Sequence, residues 1–393
     1  MSVMPPASMQ EFVQRVAQYG KTELHLALRF GDYDLAVASN SAAMIEKLRH
    51  IFRHFLDDAP TSRFAIRIID VPAAPELGLA FTQRLSDEED DESKDEFCDL
   101  ADGRVIRKRS NGILFASGDG IELAIGPCEE HETKTANFIN SRYIQWLLHQ
   151  GGVLAHAASV RSATKGLVLA GNPAVGKTTL ALRLLEHDLS LVGKDRVIVR
   201  REARGLWGYG APKPPRINPG TAMSNPRLRP LLKAKLVAKL ESLSQDELWE
   251  VAKKHDLFIE DIYGARYAAM DGPIDGIAIL TWQRGPQPTR IERVSLSERR
   301  DLLKILMKSR GIFYRSPAGS AEPEPGEDAY LEVLGDCPVH EITGGLDFDH
   351  ATRFCAGLLK RFQGVGRGFL FFISGLWWRC DSEALSFLDW MAY

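Results

Sequence analysis

Hydrophobic positions change period several times along the chain, and each change predicts an element. They alternate with polar residues over 24–30, 33–38 and 64–71, the period of half-buried strands, and recur with helical spacing over 41–56. Ser110-Asn111-Gly112 separates strand candidates at 104–109 and 113–116, and Gly118-Asp119-Gly120 separates the second of these from 121–125. Both tripeptides supply residues that accept positive φ, so two consecutive hairpins are predicted. The pattern up to residue 132 reads as an α+β unit.

Helical spacing returns over 133–150, with Phe138, Ile139, Ile144, Leu147 and Leu148 on one core-facing stripe, and stops at Gly151-Gly152. From there a second unit, 133–393, is built on a strand at 153–160, a strand at 167–170, a glycine-rich loop, a helix at 178–187 and a strand at 191–192 running into 196–199. Two helical segments, 230–243 and 245–255, form an excursion over about 229–256, and Ser244 stands where it caps the second. Lysines 233, 235 and 239 surround a face made by Leu231, Leu232, Leu236 and Leu240. A buried strand at 276–282, helices at 297–308 and 349–363, and an exposed loop at 317–327 complete the reading. The apolar run 369–378 is far shorter than the roughly 20 residues of a spanning helix, and reads as a buried strand, a subunit contact or a membrane-surface contact.

Composition changes this picture little. The 393 residues are 45% hydrophobic and 26% charged, with a net charge of -3, which suits a globular chain and gives no global basic footprint for duplex nucleic acid. The acidic run Asp87-Glu88-Glu89-Asp90-Asp91-Glu92 reads as a solvated loop or a docking tail. Cys98, Cys128, Cys337, Cys355 and Cys380 form no C-x-x-C pair, and Met1 to Gln10 shows no basic-then-apolar leader. Reduced thiols and a cytoplasmic location are the expectation.

The candidate chemistry starts at Gly171-Asn172-Pro173-Ala174-Val175-Gly176-Lys177-Thr178-Thr179, which follows an apolar run and precedes an amphipathic helix. This is G-x-x-x-x-G-K-[ST] in strand–loop–helix context. The glycines permit a tight bend whose N–H groups converge on phosphate oxygens, and the helix adds its positive end. Lys177 is expected on the β- and γ-phosphates of ATP, and the Thr178 hydroxyl on Mg²⁺; Thr179 falls on the helix. The bland alternative is a glycine-rich turn with a surface lysine.

Leu191-Val192-Gly193-Lys194-Asp195-Arg196-Val197 returns the chain beside that loop. Asp195 can hold Mg²⁺ or accept the proton of an attacking hydroxyl, unless it only pairs with Arg196 at a strand edge. The stiff segment Gly210-Ala211-Pro212-Lys213-Pro214-Pro215-Arg216-Ile217-Asn218-Pro219-Gly220-Thr221 offers Lys213 and Arg216 to a transferring phosphoryl group, or forms a solvated turn. His156, alone in an apolar strand, is either a satisfied core group or a proton relay. Cys128 with Glu129 to Glu132 is consecutive and would splay apart, so no metal is assigned there.

The order of His156, the loop, the Lys194-Asp195-Arg196-Val197 segment and the proline-rich basic segment resembles the catalytic domain of HPr kinase/phosphorylase and its divergent relatives, the HPr-kinase-related kinases, of B type in particular. The resemblance covers about residues 150–222. It implies a P-loop kinase core akin to phosphoenolpyruvate carboxykinase, to which the N-terminal α+β unit has no counterpart, and ATP- and Mg²⁺-dependent phosphorylation of a hydroxyl, a serine in that family, on a protein or peptide. It also implies a homo-oligomer, with His156 as the active-site histidine, Lys177 and Thr178 as nucleotide and magnesium residues and Asp195 as the second acid; Arg216, from the basic segment, joins them as a catalytic candidate. Lys194 departs from it, standing where the family has the first acid of an Asp-Asp-Arg-Val segment. A small-molecule or carboxykinase-like enzyme, and a non-catalytic ATP-gated interaction protein, are the alternative expectations.

Overall fold

The computed structural model describes residues 4–360 apart from 59–61, 84–94, 245–246, 249–250, 252–254 and 318–321, together with the backbone of the strands Phe369–Ile373 and Leu376–Cys380. It is a mixed α/β structure with several sheets. The acidic run 87–92 lies outside the described residues, as does the side-chain environment of 369–378.

An eight-stranded sheet holds the N-terminal strands, and the turns at Asn111-Gly112 and Asp119-Gly120 join its hairpins as expected. Its alternation is visible in the packing. Ile66, Ile68, Phe115 and Ala124 face a core shared with the helices Ala42–Ile51 and Glu132–Leu148. Ile69, Leu114, Leu123 and Ile125 face the helix Met9–Val16 instead. Both faces are covered, which is why the central strands are apolar on both sides. Ser8 and Ser41 cap two of these helices through backbone N–H groups of Glu11 and Met44.

The helix Glu132–Leu148 differs from the one-sided stripe expected of it. Thr135, Ala136, Asn140, Arg142 and Tyr143 are buried as well, because its core also takes in Leu154, Ile198 and Tyr209 from a second sheet. Arg142 reaches back to Glu122 of the first sheet at 3.4 Å, and burial there raises the Glu122 carboxyl.

A six-stranded sheet and a four-stranded sheet make up the remainder of the core. Two expected strands are each divided between them. Residues 153–160 split into Val153–Ala155, in the four-stranded sheet, and Ala157–Arg161, in the six-stranded one. The next return splits the same way into Ser190–Gly193 and Val197–Glu202. The two breaks sit side by side, since Ser159 pairs with Gly193 and Ala155 with Val197. His156 lies in one break and Lys194-Asp195-Arg196 in the other. Periodicity alone shows no break, because both sheets demand apolar residues on either side of it.

Gly166–Gly171 runs parallel to Gly276–Leu280 in the six-stranded sheet, and Gly276–Leu280 parallel to Val339–Thr343. The helix Lys177–Leu185 packs on one face, and Arg300–Leu306 with Glu327–Leu334 on the other. In the excursion, only Ala234–Glu241 of the first expected helix is α-helical, after a short 3₁₀ turn at Arg229–Leu231. Ser244 and Glu247 exchange side-chain-to-backbone bonds as a capping box. The second helix does not reach residue 255, because His255–Asp256 instead pairs with Arg216–Ile217 as a short strand.

Candidate functional site

The strand Gly166–Gly171 is buried throughout, and the chain leaves it through a bend that only particular residues accept. A Cβ on Gly171 would meet Val175 at 2.6 Å, and one on Gly176, at φ +101, would meet the Phe348 ring at 2.7 Å. Ala174 also has positive φ, +63, a conformation that costs a non-glycine residue about 1–2 kcal/mol. The strain is held in place from outside the loop. Trp282 Nε1 donates to the Val175 carbonyl at 2.9 Å, and the Trp282 ring meets Phe348 edge-on at 5.0 Å.

The bend leaves donors for a ligand. Among the described residues none accepts from the N–H groups of Ala174 or Gly176, while Val175 N–H reaches Asn172 O at 3.3 Å. Asn172, Pro173 and Ala174 are exposed at the rim. Lys177, only 7% exposed, folds back so that Nζ donates to Gly171 O at 2.6 Å and Asn172 O at 3.1 Å. Burial pushes its ammonium down to about 8, against the pull of Asp195 and with the help of Lys308. Thr178 is half-buried in the first helical turn. Thr179 is fully packed, its hydroxyl 3.1 Å from that of Thr221, so it braces the helix and does not face the loop.

Asp195 stands where the two sheets part. His156 Nε2 lies 3.4 Å from its Oδ1, and Lys308 Nζ lies 3.6 Å from its Oδ2. The bond from His156, against the opposing effect of burial and with the charge of Lys308, holds its carboxyl well below the usual carboxylate range. Lys308 itself is lowered by burial, with Asp195 opposing. It is aimed by the backbone: His156 N–H donates to Leu306 O at 2.8 Å and Lys308 N–H to Leu154 O at 3.1 Å, so 306–308 runs along the edge of 153–156.

The structure therefore brings together His156, Lys177 and Asp195, and adds Lys308, which the motif reading missed. A lysine just beyond a helix end carries no local signal; only the pairing of 306–308 with the 153–156 segment places it. Arg216 stands further out. Its guanidinium pairs with Asp256 at 3.2 Å, and its carbonyl accepts from Lys194 Nζ at 2.7 Å. Lys194 is thus tied to the proline-rich segment, even though it adjoins Asp195.

Thr178 and Asp195 offer a hydroxyl and a carboxylate oxygen, the donor types magnesium prefers. Among the described residues no group of three or more His, Cys, Asp or Glu could hold a metal, so such an ion would depend on phosphate oxygens for most of its shell. Among the described residues, too, no helix is long and apolar enough to cross a membrane. Cys98, Cys128, Cys337 and Cys355 are free thiols.

Comparison with known proteins adds little to this geometry. No family model matches the chain, and no curated protein matches it. Among solved structures, the Hpr(Ser) kinase/phosphatase from Coxiella burnetii aligns with 52% of this chain and 93% of its own, at 12% identity and a TM-score of 0.26. That is a weak likeness.

Proposed function

We propose that this protein is an ATP- and Mg²⁺-dependent phosphotransferase that moves the γ-phosphoryl group of ATP to a hydroxyl. The observation that carries the reading is a buried Lys177 in a bend with unpaired N–H groups, close enough to Asp195 for the carboxylate to act on its charge. An ammonium buried without a full counter-charge is unfavourable in the free protein. It becomes favourable when polyphosphate oxygens replace the Gly171 and Asn172 carbonyls as its partners.

In the transfer, the acceptor oxygen forms a bond to the γ-phosphorus while the bond from that phosphorus to the β–γ bridging oxygen breaks, and ADP departs with the electron pair. A magnesium ion held between the phosphates, Thr178 and Asp195 would neutralise charge that builds on the bridging oxygen. Asp195, held strongly ionised by His156 and Lys308, is a weak final resting place for the hydroxyl proton, which passes instead to an oxygen of the transferred phosphoryl group or to water. Its better use is to orient the hydroxyl and the metal, as a loose transition state asks little of a base. Lys308, in contact with that carboxylate, and Lys177, within its electrostatic reach, supply positive charge.

The test is nucleotide binding followed by turnover on purified full-length protein. Lys177→Ala should weaken Mg-ATP binding by about 100-fold or more, and Asp195→Asn should lower ADP formation by about 100-fold while the far-UV spectrum stays unchanged. Unchanged affinity in Lys177→Ala removes the reading. Tight binding with no transfer to any acceptor would instead favour the nucleotide-gated interaction protein.

A further inference from the structure

Asp195 opens outward into a cleft of about 390 Å³ whose walls come from five parts of the chain. Lys134, Asn137 and Asn140 line it from the helix Glu132–Leu148, Lys194 and Arg196 from the break between the sheets, and Lys213 and Arg216 from the proline-rich segment. Lys108 and Phe313 complete the lining. Two of the cations have acidic partners, Lys108 with Asp95 and Arg216 with Asp256. Lys134, Arg196 and Lys213 share the lining with a single carboxylate, Asp195, among the described residues. Lys213 is held by a neutral group, the Asn137 amide oxygen, at 2.8 Å, and burial lowers its ammonium.

A second, independent feature lies on the same wall. Asn140 is only 4% exposed, yet neither its Nδ2 nor its Oδ1 has a hydrogen-bond partner among the described residues. A buried amide with both atoms unpaired is costly, and such a group calls for a ligand or an ordered water. The wall beside it is polar and cationic, with Ile144, Pro214 and Phe313 as short apolar faces. The volume is that of a small-molecule site.

We propose that this cleft binds a small molecule bearing a carboxylate or phosphate group, held by Lys213, Arg196 and the Asn140 amide, and that this molecule is the acceptor whose hydroxyl meets Asp195. Binding of the anion stands on the cleft alone; its role as acceptor rests on the phosphotransferase reading. The surplus of positive charge selects against neutral acceptors, and the deep amide selects for a group that both donates and accepts or that offers a free oxygen to Nδ2.

Titration calorimetry of the full chain with glycerol 3-phosphate and with citrate tests this, in wild type, Lys213→Gln, Arg196→Gln, Asn140→Leu and Lys177→Ala. Expected are binding of at least one probe by wild type, a loss of at least tenfold in Lys213→Gln and Arg196→Gln, and a change below twofold in Lys177→Ala. Asn140→Leu should also lose affinity; Arg196 is exposed, so its variant keeps the test alive if a buried one misfolds. Binding of neither probe, or equal binding in the two cation variants, overturns the proposal. So does loss of the probes in Lys177→Ala with retention in Lys213→Gln, which would place the anion on the loop, or binding of an acidic serine-containing peptide but neither small probe. Probe binding in a protein that never binds Mg-ATP would keep the cleft and discard the phosphotransferase reading.

Discussion

The eight-stranded sheet and the junction of the other two sheets are built on opposite terms. In the first, apolar side chains alternate between two covered faces, turns carry glycine where φ is positive, and its interior charges are matched, as Arg142 is by Glu122. At the junction, an alanine sits at positive φ, a lysine is buried on backbone carbonyls, and a carboxylate stands between a histidine and a lysine. The positive φ of Ala174 and the buried Lys177 cost stability in the free protein, whereas Asp195 is stabilised in its ionised form by His156 and Lys308. The sheet supplies the stability that the junction spends, a division expected wherever a site needs strain and buried charge.

Mutations on the two sides should therefore separate stability from ligand binding. The largest effect belongs to the scaffold: Leu123→Ala, in a central strand and fully buried, should lower unfolding free energy by about 2–5 kcal/mol in urea titrations, with Mg-ATP affinity within twofold of wild type. A comparable loss of affinity under folded conditions would show the two regions to be coupled. Next comes Gly176→Ala, which adds a Cβ against Phe348 at an unfavourable φ. It should cost about 1–3 kcal/mol and also weaken nucleotide binding, because the same bend presents the N–H groups.

The buried Lys177 makes a pH prediction in which the two properties move in opposite directions. With its ammonium at about 8 in the folded protein against 10.5 ordinarily, only the unfolded chain keeps the proton between those values, so this group's contribution to stability rises with pH across that window. Nucleotide affinity needs the charged form, and should fall by nearly tenfold, about 1.4 kcal/mol, between pH 7.5 and 9. Lys177→Met should flatten the stability trend; a flat affinity profile in wild type would mean the ammonium is not used. The smallest effect is Ala174→Gly, where relief of strain of about 1 kcal/mol is partly offset by a freer unfolded chain. A net gain near 0.5 kcal/mol is expected by thermal unfolding, and a clear loss would mean that the Ala174 methyl packs usefully.

Much of the architecture was readable before any coordinates. The hairpins at Asn111-Gly112 and Asp119-Gly120, the helix after Gly176 and the buried strand from Gly276 follow from local periodicity and turn chemistry, which act over a few neighbouring residues. The order of glycines and lysine in the loop was legible for the same reason, whereas the outside braces of its bend, Trp282 and Phe348, were not. The all-round burial of the helix Glu132–Leu148 was not, because a period of 3.6 reports one partner and this helix has two.

What the amino-acid order decided by itself is the set of local conformations: where the chain alternates, coils, bends and turns, and which residue types stand in the bend. Tertiary structure alone decided that His156 and Asp195 fall in adjacent breaks between two sheets, that Lys308 arrives beside them, and that Lys134, Arg196 and Lys213 converge on one cleft. The physical reason is range. Backbone preference and side-chain period are exhausted within a turn or two, whereas charges far apart in sequence meet only after two sheets with indistinguishable apolar patterns have chosen separate partners.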